Sequence, residues 1–224
     1  MSLRLLILGA PGSGKGTQTS RLLKQLPSIQ SLSSGDILRS HIKNGTSIGK
    51  EASSYIKSGQ LVPDSTMVSL ITQELKTKGW LDAKSSWLLD GFPRTATQAS
   101  ALDDVLSQND CPINLAVELD VDQKVILERI EARWVHVPSG RVYNIDYNPP
   151  KVPFHDDVTG EPLTKREDDT AEVFQKRLDQ YNKEIEPLKK FYESKGVLRV
   201  VSGNTSDIIF PKFIKLIQEE SKKL

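Results

Sequence analysis

The 224-residue chain has a single cysteine, Cys111, which excludes an intrachain disulfide and any zinc site built from a cysteine cluster. Long apolar runs are also missing. None approaches the roughly 20 residues needed to cross a bilayer, so no membrane partner is expected. Neither sign of charge dominates: 30 Lys and Arg stand against 29 Asp and Glu, a net charge of +1. That balance gives no pull toward nucleic acid or an anionic surface. The N-terminus runs straight into a strand-like apolar segment, and no secretory signal or cleaved transit peptide is expected. The length suits one large α/β domain with insertions.

What is present begins at once. Leu5-Leu6-Ile7-Leu8-Gly9-Ala10-Pro11-Gly12-Ser13-Gly14-Lys15-Gly16-Thr17 is a short apolar strand, a glycine-rich turn and the start of a helix. Glycine, four residues, glycine and lysine is the spacing of a phosphate-binding loop. Glycines let backbone N–H groups close around a polyanion, and the helix N-terminus adds positive partial charge. Lys15 supplies a full charge for terminal phosphate oxygens. Gly12, Ser13, Gly14, Lys15, Gly16 and Thr17 are therefore candidate triphosphate contacts. A hydroxyl usually follows the lysine directly to meet Mg²⁺; here Gly16 intervenes and Thr17 comes second.

Apolar runs at 3–8, 86–89, 113–119 and 197–201, with a weak one at 31–33, alternate with helical patterns at 95–108, 123–134, 171–194 and 206–223. The alternation predicts a parallel sheet with crossover helices. Two stretches break it. Residues 36–78 read as inserted short helices, and 135–170, rich in Pro, Gly, Asn and Asp, as a small β-rich insertion of the kind that forms functional lids.

Trp87-Leu88-Leu89-Asp90-Gly91-Phe92-Pro93-Arg94 places a carboxylate at the C-terminal edge of the sheet, where ligands bind in open α/β folds. Asp90 and Thr17 are expected to share Mg²⁺ between them, through water. Arg39, Arg94, Arg129, Arg133, Arg166 and Arg177 are candidates to converge on phosphates, with Arg129 and Arg133 on one face of the predicted helix. His136, Ser139, Asp156 and Thr159 fall in the two arms of the β-rich insertion. With two hydroxyls and no cysteine, they read as a hydrogen-bonded network rather than a zinc site.

Taken together, these segments resemble the adenylate kinase family of nucleoside monophosphate kinases, in its large-lid form. The resemblance implies a five-stranded parallel sheet with helices on both faces, one phosphate-loop kinase domain over 1–224. It also implies a monophosphate-binding insertion at 36–63 and a lid at 135–170. It gives AMP to Ser34, Arg39, Leu61, Val62, Gly91, Arg94, Gln98, Arg166 and Arg177, with Gln98 reading adenine through its amide. It gives the triphosphate to the loop, Arg129, Arg133, Val142, Tyr143 and Thr205. Lys15, Arg94, Arg133, Arg166 and Arg177 would neutralise the phosphoryl group in transfer, and Asp168 and Asp169 would form an acidic pair at the lid edge. Ser34 replaces the usual threonine of ATP-using members. Ser202-Gly203-Asn204-Thr205-Ser206-Asp207-Ile208-Ile209-Phe210-Pro211 is similar to the mitochondrial GTP:AMP branch.

That branch implies GTP, and also ITP, as donor, a mitochondrial matrix location, Mg²⁺ carried with the triphosphate, and a monomer without zinc. ATP as donor, a cytoplasmic location and a catalytically weak, chaperone-like relative are the alternatives. A switch-type GTPase would need Asn-Lys-x-Asp, which Asn182-Lys183-Glu184-Ile185 does not supply. A nucleic-acid motor would need a basic track, and none is present.

Overall fold

The computed structural model describes residues 2–146, 148–166 and 169–223. Five strands run parallel: β1 (Arg4–Leu8), β2 (Gln30–Ser33), β3 (Trp87–Asp90), β4 (Leu115–Asp120) and β7 (Leu198–Ser202), in the spatial order β2, β3, β1, β4, β7. The central strand β1 is buried along its whole length. Its alternation sends Leu6 and Leu8 into one core and Leu5 and Ile7 into another, so both faces of the sheet are covered.

Helices α1 (Lys15–Gln25), α6 (Gln123–Glu131) and α8 (Ser206–Ser221) close one face through Leu22, Ile126, Ile209 and Phe213. Helices α4 (Asp64–Thr77), α5 (Ala96–Ser107) and α7 (Ala171–Ser194) close the other through Ile71, Leu75, Leu102, Leu188 and Tyr192. Helix α7 runs through Pro187, a residue that costs about 3 kcal/mol inside a helix. Phe174, Leu178, Ile185, Leu188 and Tyr192 are buried along one stripe of it. Burial worth about 1.5–3 kcal/mol for each such side chain outweighs the proline.

The sheet and its flanking helices agree with the expected α/β class. The stretch after β2 forms α2 (Ser34–Lys43) and α3 (Ser47–Ser58) before α4. One expectation is corrected. The helix predicted over 123–134 ends at Glu131, and Arg133 opens β5 (Arg133–His136), which pairs antiparallel with β6 (Arg141–Asn144). Arg129 and Arg133 therefore do not share a helical face. Pairing of Arg133 with Asn144 across the hairpin overrides the local helical pattern. A bridge between Val135 and Thr164 ties the rest of this insertion to the hairpin, and another joins His155 to Pro162 within that remainder. Among the described residues, no helix is long and apolar enough to cross a membrane.

Candidate active site

The register of the sheet builds the site. Ile7 of β1 lies beside Asp90 of β3, and Asp90 lies beside Ser33 of β2. The turn after β1 thus opens at the same C-terminal edge as the Asp90 carboxylate. Gly14 caps α1 with φ +94°, a conformation that disfavours a side chain. Gly9 has φ +147°, and a Cβ there would sit 2.7 Å from Ser13 Oγ and 3.0 Å from the Leu119 carbonyl oxygen, so both conformation and space disfavour a side chain.

A cleft of about 1030 Å³ lies over this edge. Gly12, Gly14, Lys15, Gly16 and Thr17 form part of its lining, with Asp90 and Gly91 beside them. Arg39, Leu61, Val62, Arg94 and Gln98 line it from the side of α2 to α5. Arg129, Arg133, Arg166 and Arg177 enter from α6, the hairpin insertion and α7, and Val142, Tyr143 and Thr205 also reach it. The charges converge as well. Burial lowers the Lys15 ammonium to about 8; Asp90 opposes the shift, and Arg94, Arg177 and Arg133 add to it. A lysine under this load favours a polyanion beside it. Lys15 Nζ donates to its own loop, to the carbonyl oxygens of Gly9 at 2.7 Å and Ala10 at 2.9 Å.

Burial raises the Asp90 carboxyl, while Lys15 pulls the other way. A Cβ on Gly16 would be 3.8 Å from Asp90 Oδ2, so the backbone just before Thr17 is close to that carboxylate. A carboxylate and a hydroxyl are hard oxygen donors and suit Mg²⁺. Among the described residues, no group of three or more His, Cys, Asp and Glu side chains could hold a metal on its own.

Several predicted residues hold structure in ways the sequence did not reveal. Ser34 is buried, and its hydroxyl donates to the Gly91 carbonyl at 2.7 Å. Ser13 is buried too. Arg39 pairs with Asp36, and Arg133 pairs with Asp169 through two nitrogens. Asp168 lies outside the described residues. Arg129 is buried, with Nη1 donating to Ser13 O at 3.2 Å and Nη2 to Asn204 O at 2.8 Å. It joins the phosphate loop to the loop before α8. The Thr205 hydroxyl caps α8 by accepting from Ile208 N. The Tyr143 ring is buried and its hydroxyl donates to Asp156 Oδ1 at 2.8 Å, so this side chain supports the insertion's interior.

The four predicted network residues do meet. His136 Nδ1 contacts Ser139 Oγ at 2.7 Å, and Thr159 Oγ1 donates to Asp156 Oδ2 at 3.0 Å and lies 3.4 Å from His136 Nε2. Three partners were missed. Arg141 forks onto Asp156 at 2.7 and 2.6 Å, Tyr143 joins it there, and Glu161 contacts His136 Nε2 at 2.6 Å. A signal for two of them was in the sequence: Arg141 and Tyr143 are two apart on a strand and so face the same side.

Comparison with known proteins agrees with this geometry. A family model described as adenylate kinase matches residues 7–197. The chain is 65% identical over 215 residues to a Saccharomyces cerevisiae protein named GTP:AMP phosphotransferase, mitochondrial, covering 96% of this chain and 92% of that one. A protein of the same name from S. cerevisiae strain S288c is 64% identical over 211 residues, 94% of each chain. A Vanderwaltozyma polyspora protein named adenylate kinase is 43% identical over 217 residues, 96% of each. With the phosphate loop, the strand-end aspartate and the ring of arginines on one cleft, and a family match across most of its length, the chain belongs to the adenylate kinase family.

Proposed function

We propose that this protein transfers the terminal phosphoryl group of GTP to AMP, giving GDP and ADP, with Mg²⁺ entering as part of the triphosphate substrate. The observation that carries the reading is the convergence of Lys15, Asp90, Arg94, Arg133 and Arg177. An AMP phosphate oxygen attacks the γ-phosphorus in line. The new P–O bond forms as the bond to the β–γ bridging oxygen breaks, and GDP leaves with that oxygen. The acceptor phosphate is already anionic, so no general base is required. The protein's task is positioning and charge neutralisation. In this reading Lys15 and the arginines, Arg166 included, hold the transferring group, while Asp90 and Thr17 would hold the ion through water. Residues 36–63 are the monophosphate-binding region and 135–170 the lid, which excludes water before transfer.

GTP as donor is supported by the names of the two yeast relatives. A loop before α8 that presents N–H groups to the purine edge would favour the carbonyl at position six of GTP and ITP, and one that presents a carbonyl would favour adenine. Leaving a buried polar group unpaired costs about 1–3 kcal/mol, which sets a preference of about ten- to a hundredfold. Initial rates with AMP and Mg²⁺ plus GTP, ITP or ATP test this. Higher kcat/KM for GTP and ITP is the expected result; ATP equal to or above GTP overturns the donor, and no AMP-dependent transfer overturns the reaction. A mitochondrial location is the corresponding proposal, read by fractionation.

A further inference from the structure

Gln98, the residue expected to read the acceptor base, is held at both ends of its carboxamide. It is the third residue of α5, behind the capping residue Thr95. The backbone N–H of Arg94 donates to Gln98 Oε1 at 2.8 Å, and Gln98 Nε2 donates to Asp64 Oδ1 at 2.8 Å. The other Asp64 oxygen, Oδ2, accepts from the Thr95 hydroxyl at 3.1 Å, and that hydroxyl accepts from Gln98 N at 3.1 Å. Gln98 is only 1% exposed, yet it lines the cleft.

These partners define which way the amide points. A backbone N–H only donates, and an ionised carboxylate only accepts. Turning the amide over would set its NH₂ against the Arg94 N–H and its oxygen against the Asp64 carboxylate. Both hydrogen bonds would be lost, and two pairs of like groups would face each other. The locked amide keeps one N–H and one oxygen lone pair for a ligand. Adenine presents a ring-nitrogen acceptor beside an amino donor, and the pair satisfies it. A 6-oxopurine presents the reverse, an N–H donor beside a carbonyl acceptor. It would be met only by the amide turned over.

We propose that Asp64 is a specificity-determining positioning residue: by fixing the Gln98 carboxamide, it admits AMP and rejects 6-oxopurine monophosphates such as IMP. The inference rests on the reading of Gln98 as the acceptor-base contact. It gives the two ends of the cleft opposite tasks, since the proposed donor is itself a 6-oxopurine.

The test is kcat/KM for AMP and for IMP, with Mg·GTP as donor, in the parent, Asp64→Asn and Asp64→Ala. The AMP-over-IMP ratio is expected to fall about tenfold in Asp64→Ala, because a buried hydrogen-bonding site that loses its partner loses its discrimination. Asp64→Asn keeps an accepting oxygen and is expected to fall between the two. KM for GTP stays within about twofold of the parent. Asp64 also opens α4, so loss of its first-turn charge can lower the melting temperature. A purely structural role would do that and leave the ratio unchanged, which overturns the proposal. If Asp64→Ala does not fold, the isosteric Asp64→Asn decides by the same ratio. A parent enzyme that uses IMP as well as AMP instead overturns the reading of Gln98 itself.

Discussion

The floor of the cleft and the insertion over it are held by different forces. On the floor, the phosphate loop springs from β1, where Leu5, Leu6, Ile7 and Leu8 are all buried between two layers of helices. Its shape depends on backbone conformation at glycines and on apolar packing beneath. In the insertion a polar cluster around His136 and Asp156 is buried beside a few apolar side chains such as Val135 and Leu163. Asp156 is buried and accepts from Arg141, Tyr143 and Thr159, while large apolar side chains such as Val137, Val152, Phe154 and Val158 remain exposed. A packed floor keeps charges in fixed places. A small cover held by hydrogen bonds can move as a unit without unmaking the core.

The largest expected effect tests the floor. Lys15→Ala removes the charge at the centre of the cluster and should lower kcat by about 10²-fold or more, by analogy with loss of one preorganised stabilising donor. Its melting temperature should stay within a few degrees of the parent, about the change expected of a substitution outside the packed core. A rate within a few-fold of the parent would break the reading of this loop as catalytic.

The next effect tests the cover. Asp156→Ala takes the common acceptor from Arg141, Tyr143 and Thr159. Limited proteolysis within 135–170 should quicken by about tenfold or more, while global unfolding of the sheet domain changes little. KM for the triphosphate should rise as closure becomes less favourable. Unchanged protease sensitivity would show that the insertion is held by something other than this network.

The two regions also differ in how far they could be read from sequence. The loop, the strand-end Asp90 and the long helices are local signals: glycine spacing, an apolar run ending in a carboxylate, buried positions recurring at helical spacing. The partners that depend on distant chain segments were not legible. Arg133 pairs with Asp169, 36 positions away, and Gln98 with Asp64, 34 positions away. The boundary of α6 failed for the same reason, since its last predicted turn is drawn into a hairpin whose second strand lies further along the chain. Residue type alone marked Gln98 as able to read a base, but only the fold says which end of its amide faces which neighbour.

The smallest expected effect concerns metal and acid in the cover. Both ring nitrogens of His136 are engaged, one with Ser139 and one with Glu161. The Arg141 guanidinium and the hydroxyls of Tyr143 and Thr159 occupy the Asp156 carboxylate, and Arg141 stays charged at any ordinary pH. A zinc ion would have to displace that cation from its carboxylate. The protein is therefore expected to carry no stoichiometric zinc, and chelators should leave its melting temperature unchanged. The hydrogen bonds from Arg141 hold the Asp156 carboxyl well below the usual carboxylate range. Its pKa is lower folded than unfolded, so its contribution is fully present above the ordinary carboxylate pKa and is lost only as pH falls below that. Asp156→Asn should then lower amide-exchange protection in residues 135–146 and 148–164, corrected for intrinsic rates, relative to the parent at pH 5 and at pH 7 alike. One tightly held zinc per chain by elemental analysis, or protection that collapses in chelator, would replace the hydrogen-bonded cover with a metal-stapled one.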